Sequence, residues 1–164
     1  MLDPAALEAW ERKTDIPLAI VTVTSGAERS GCVVGYWARC SIDPPHFLVC
    51  ISKQNHTFGV AMSAERLALH LIPKASTEIV WLFGSETGDE IDKFAHCEWK
   101  PGPGEVPILA ACPSYLICHV LDRIDVGDHV ALLAAPDHVE VGAEQDAFTQ
   151  RDASSHGIEP GHPA

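Results

Sequence analysis

Ser52, Lys53, Asn55 and Thr57 lie within one short stretch, and together they could seat a phosphate. The lysine brings a positive charge, the hydroxyls bring donors, and Asn55 is a good N-cap for a helix whose first N–H groups and dipole favour an anion. Arg39 and Lys53 flank an apolar run at 47–51. In a chain of net charge −12, an anionic ligand needs positive charge concentrated locally, which makes these two cations the first candidates. His129 follows Gly127 and Asp128 and precedes an apolar stretch. Its imidazole could bond an anionic or carbonyl-bearing ligand, or the neighbouring backbone. The chain carries no H-E-x-x-H, no Walker loop and no G-x-G-x-x-G.

Those residues must be held by elements that the pattern predicts. Pro44 and Pro45 fix φ and remove two donors, so 43–45 is extended or turned. Residues 47–51 read as a buried strand, followed by a helix over 55–63 with Phe58 and Met62 on one face. Earlier, Asp3 caps a short helix with Pro4 at its first position and Ala6, Leu7 and Trp10 as its apolar stripe. Strands are predicted at 18–24 and 30–36, joined by a turn at 25–28. Residues 66–72 alternate, with Leu67, Leu69 and Leu71 on one face and Ala68 and His70 on the other. A helix capped by Ser76 carries Ile79, Leu82 and Phe83, an acidic stretch follows at 86–92, and 100–104 reads as an exposed loop. A long strand at 114–124 and another at 130–135 turn at Gly127. Strands of this length with few helices suit a small barrel with inserted helices.

With 164 residues, 46% of them hydrophobic and 21% charged, one globular domain is expected, over 1–142. From 143 to 164 the composition turns polar except at Phe148 and Ile158, which predicts a polar tail. The negative charge argues against nucleic acid and anionic membrane. No window reaches membrane-spanning length. Six cysteines without any C-x-x-C pair point to reduced thiols and a cytoplasmic location. A metal site of Cys50 with His46 or His56 lacks zinc-type spacing and is set aside.

Taken in order, Ser30 and Gly31, the turn Ser41, Ile42, Asp43, Pro44, Pro45, and then Lys53 and Thr57 resemble the flavin reductase-like family of FMN-binding split barrels. Asp92, Lys93, Phe94, Ala95, Trp99, Gly104, Pro107 and the stretch from Asp122 to His129 extend the resemblance over 17–141. It implies a mainly β fold with short helices, a split β-barrel, and a homodimer with flavin near the subunit interface. It further implies FMN, with FAD as a variant, reduced by hydride from NADH or NADPH and then passed to a monooxygenase. Family contacts to the flavin fall, in this chain, on Gly35, Tyr36, Ala38, Arg39, Cys40 and Ser41, on the Ser52 to Thr57 stretch, and on His70. His129 corresponds to the histidine on the nicotinamide side.

This chain departs from the family where small hydroxyl residues usually precede the Ser41 turn, having Gly35, Tyr36, Ala38, Arg39 and Cys40 instead. Gly35 would permit close backbone approach. That departure keeps two other readings open: an electron-carrier module holding flavin, haem or deazaflavin without nicotinamide turnover, or an interaction domain without cofactor.

Overall fold

The computed structural model describes residues 1–159. It is mainly β with short helices: α1 (Pro4–Glu11), β1 (Ala19–Ser25), β2 (Glu28–Val34), β3 (Trp37–Ser41), β4 (His46–Ser52), α2 (His56–Ala61), β5 (Arg66–Leu71), α3 (Thr77–Gly84), β6 (Trp99–Pro101), β7 (Pro107–Leu109), β8 (Ser114–Asp125), β9 (His129–Glu140) and α4 (Gln150–Ser155). The first two helices start at side-chain caps, whereas Ser76 precedes α3 without a capping side-chain bond. The Asp3 carboxylate accepts the Ala5 N–H, and the Asn55 amide oxygen accepts the Thr57 N–H.

Seven strands form one antiparallel sheet in the order β2-β1-β5-β8-β9-β4-β3, and β6 and β7 form a separate hairpin. Side chains of β1, β2, β4, β5, β8 and β9 meet in a single core cluster, with Cys32 and Val34 from one end of that order and Val49 and Ile51 from the other. Laid flat, β2 and β4 would stand roughly 24 Å apart at the usual strand spacing of about 4.8 Å. The sheet is therefore rolled around the cluster, as in a split barrel. Among the described residues no ladder joins β2 to β3. A second apolar cluster covers the outside of the roll, where Ile20 and Ile72 pack with Val80 and Phe83 of α3, Phe94 and Phe148.

The structure adds to and changes the sequence expectations. Residues 37–41, to which the pattern assigned no element, pair with β4 as the edge strand β3, with an irregularity between Arg39 and Ser41. Residues 99–101 pair with β7, so the expected loop narrows to the tip of a hairpin, where Gly104 takes φ +69°. Strand β9 runs to Glu140, because register shifts against β8 carry it past Pro136. The composition change at 143 coincides with no end of packing: Phe148 is fully buried, its backbone bonds Ile72 and Leu18, and α4 follows. Residues 160–164 of the expected tail lie outside the described residues.

Candidate functional site

Strand register assembles the site. Antiparallel pairing of β4 with β9 sets Ser52 opposite His129, at the end of one strand and the start of the other. The backbone N–H of Lys53 then donates to the Asp128 carbonyl at 2.9 Å, which ties the β4–α2 turn to the β8–β9 turn. On the other side of β4, the Cys50 N–H donates to the Tyr36 carbonyl at 2.9 Å. Tyr36 thereby reaches His129, and their rings meet edge to face with centroids 5.5 Å apart. Residues far apart in the chain become neighbours through two backbone hydrogen bonds beyond the strand ladders.

The polar groups here are already partnered in an ordered way. Lys53 Nζ donates to Asp125 Oδ2 at 2.8 Å, and that bond, helped by the Gly127 N–H, holds the Asp125 carboxyl below its ordinary range. His129 Nδ1 lies 2.7 Å from Asp128 Oδ1, and the hydrogen bond lowers the Asp128 carboxyl likewise. Ser52 Oγ accepts the Gln54 N–H at 3.2 Å.

Of these residues Ser52 and His129 line a cavity of about 890 Å³ that also touches α1, α3 and α4, while Lys53, expected as the phosphate cation, is turned to Asp125 and is not part of the lining. Gly35, Tyr36, Cys50, Ser52, Asn55 and His129 lie along its walls, with Leu18, Cys32, Val34 and Phe83 as apolar lining. At Gly35 a Cβ would make ordinary van der Waals contact with Leu18 at 3.5 Å and lie 3.9 Å from Gln150 Oε1, so the backbone there runs beside the cavity wall without a clash barring a small side chain. Glu8 and Glu11 of α1, Arg12 just after it, and Gln150, Arg151 and Ala153 of α4 also line the cavity. A cavity of this size is in the range of small-molecule and cofactor sites.

Not every expected residue joins it. Ala38, Arg39 and Cys40 are exposed on β3, outside the cavity, and the Arg39 guanidinium donates to the Ser41 and Ile42 carbonyls, both at 3.1 Å. Arg39 thus braces the turn, with Ser41 half-buried beneath it. Thr57 is fully buried and shares a 2.8 Å hydrogen bond with Ser30, so its hydroxyl is spent inside the fold. The Asn55 amide oxygen is occupied as a cap. His70 is also fully buried: Nδ1 lies 3.1 Å from the Ile20 carbonyl, and Nε2 accepts the Leu109 N–H at 3.2 Å. With Leu109 donating to Nε2, Nδ1 carries the proton, and both nitrogens serve backbone. Burial pushes the His70 imidazole down to about 4. Beta-branched and aliphatic neighbours on both faces of β5 explain this, because a residue placed on the second face of a covered central strand meets core rather than solvent or ligand.

Sequence reasoning missed the contribution of α1 and α4 to the cavity. The α4 signal was legible: Thr149 and Asp152 form a capping box, each side chain bonding the other's backbone N–H. It also missed Lys93 as a buried strut, whose Nζ donates to Phe83 O at 3.0 Å and Gly31 O at 3.2 Å while desolvation lowers its basicity. The six thiols are free. Among the described residues no three His, Cys, Asp or Glu converge as a metal site, and no helix is long and apolar enough to cross a membrane. His56, weighed above as a metal ligand, instead lies 2.6 Å from Asp89 and 3.4 Å from Glu28.

Comparison with known proteins places this geometry. The chain is 31% identical over 137 residues to the stachydrine N-demethylase reductase subunit of Rhizobium meliloti, covering 81% of this chain and 57% of that protein. It spans only 37% of a second relative from the same organism. The reductase subunit of a flavin-dependent monooxygenase of Mycobacterium tuberculosis is 25% identical, over 97% of this chain and 84% of its own length. Among solved structures, an FMN-binding protein of Thermus thermophilus with bound 1-cyclohex-2-enone superposes with a TM-score of 0.72 at 27% identity, over 77% of this chain and 70% of that one. The family model described as the flavin reductase like domain matches residues 12–155. With that match running over nearly the whole described chain, from the end of α1 through α4, this protein belongs to the flavin reductase-like family.

Proposed function

We propose that the protein binds FMN, with FAD as a variant, and reduces it with NADH or NADPH. The observation that carries this reading is the β4–β9 register, which sets Ser52 and His129 side by side on the wall of a cofactor-sized cavity, with Lys53 next in the chain just beyond that wall, in a chain of this family. The donor set fits a flavin phosphate. Ser52 offers a hydroxyl on the cavity wall, and Lys53, held through its backbone by Asp128 and through its ammonium by Asp125, stands next to it as the nearest cation in sequence. When bound, the flavin would supply the redox chemistry, accepting the hydride at its ring. The chain's own part is to anchor the phosphate with Ser52 and Lys53, to line the ring with Gly35, Tyr36 and Cys50, and to present His129 to the nicotinamide. Similarity to two reductase subunits supports delivery of reduced flavin to a partner monooxygenase. A homodimer working in the cytoplasm, with its thiols reduced, completes the proposal.

The test is an anaerobic absorbance titration of the purified protein with FMN, then with NADH and with NADPH. A yellow complex bleached by either nucleotide supports the reductase and identifies the donor. A bound flavin that neither nucleotide bleaches favours the carrier module, and no uptake of flavin overturns both.

A further inference from the structure

We infer that Asp128 is a positioning residue that fixes His129 as the Nδ1–H tautomer and so turns its Nε2 into a hydrogen-bond acceptor for the carboxamide N–H of a nicotinamide ring. The inference rests on the reductase reading above and adds the chemistry by which the donor is recognised.

The Asp128 carboxylate can only accept, and its oxygen is 2.7 Å from His129 Nδ1, so the ring nitrogen on that side donates. The hydrogen bond to one imidazole nitrogen decides which of the two carries the proton. A free neutral imidazole in water favours the proton on Nε2, so Asp128 reverses the ordinary preference. Nε2 is left without a protein partner among the described residues, on a side chain that lines the cavity and is only 22% exposed. The Tyr36 ring packs edge-on against the imidazole and limits its rotation. An unprotonated, half-buried nitrogen beside a flavin-sized space suits a primary amide, which has N–H groups to give. A phosphate or a carboxylate offers no such donor.

Asp128 has a second role through its backbone, because its carbonyl holds the Lys53 N–H. That bond survives any side-chain change, so replacing the carboxylate separates the positioning of His129 from the construction of the phosphate end. Asp128 is three-quarters exposed, which keeps the folding consequences of substitution small.

The first measurement needs no turnover. In full-length protein labelled with ¹⁵N-histidine, the His129 ring is assigned by its loss in His129→Gln and its tautomer is read from the ring nitrogen shifts above pH 8. The wild type is expected to show Nδ1–H, Asp128→Ala to move toward Nε2–H, and Asp128→Asn, which keeps an acceptor oxygen, to restore much of the wild-type pattern. A wild-type ring already protonated on Nε2, or one unchanged in Asp128→Ala, overturns the proposal. The second measurement compares the reduced nucleotide that bleaches the flavin with its 3-acetylpyridine analogue, whose methyl ketone has no N–H. The wild-type preference for the carboxamide should shrink roughly three- to tenfold in Asp128→Ala, mostly through KM, and recover in Asp128→Asn. An undiminished preference overturns the proposal. If neither nucleotide reduces flavin, the reductase reading falls, while the tautomer measurement still upholds or overturns the positioning of His129.

Discussion

Lys53 and His70 show how differently two expected ligands can end up. Lys53 follows Ser52 just beyond the end of β4, outside the cavity wall, with its charge partly exposed and paired with Asp125, from which a phosphate at Ser52 would have to draw it. Lys53→Ala is expected to weaken FMN binding about tenfold at low salt, with the difference shrinking as salt rises. A fluorescence titration at two ionic strengths reads both effects, and an unchanged affinity would remove Lys53 from the phosphate seat. His70 is structural. Its imidazole takes up a proton at about 4 in the fold, against an ordinary 6.5 in the unfolded chain. As pH falls the unfolded chain is protonated first, so the stability His70 contributes is complete above 6.5 and drains away toward pH 4. The loss amounts to roughly 3 kcal/mol. Urea titrations at pH 7 and pH 4.5 should show that decline in the wild type and a smaller one in His70→Gln, which also starts about 2 kcal/mol less stable. Its flavin affinity should be unaltered.

At the scale of elements, β2 and α3 approach so closely that Gly31 has no space for a side chain. A Cβ there would stand 2.9 Å from Phe83 Cε1 and 3.0 Å from the Val21 carbonyl. Lys93 closes the same junction from beneath, bonding the carbonyls of Gly31 and Phe83. Gly31→Ala should therefore cost about 1–3 kcal/mol by forcing the helix off the strand, read as a lower urea midpoint. A midpoint equal to wild type would mean that Phe83 turns aside freely. The turn from β4 into α2 was legible because its parts are local: an apolar run, then Asn55, then a helical face. The edge strand β3 was not, because Ala38, Arg39 and Cys40 lie exposed and carry no alternation. Only pairing with β4 makes that stretch a strand.

The whole molecule depends on its C-terminal segment more than composition suggests. Phe148 fills the outer cluster beside Ile20, Ile72 and Phe83, and α4 walls the cavity behind it. Loss of one such buried aromatic costs about 3–5 kcal/mol, a large part of the roughly 5–15 kcal/mol available to a domain. A chain ending at residue 142 is expected to melt roughly 10 °C or more below the full-length protein by circular dichroism. An unchanged melt would make the segment dispensable to the fold.

The sequence by itself determined the local matters. Asp3, Asn55 and Thr149 cap helices through atoms two or three residues away, and apolar runs mark β1, β4 and β5 by their own periodicity. The order of short motifs along the chain was enough to indicate the family, and the match over residues 12–155 agrees with it. Tertiary structure decided which polar residues remain available. Thr57 and His70 have the same local credentials as Ser52 and His129, yet the first pair is sealed inside by Ser30, Ile20 and Leu109. The second pair faces the cavity because β4 meets β9 in a register that sets them opposite each other. Side-chain direction on a strand is fixed by alternation, but which side faces ligand and which faces core is fixed only when the sheet rolls and its second face is covered.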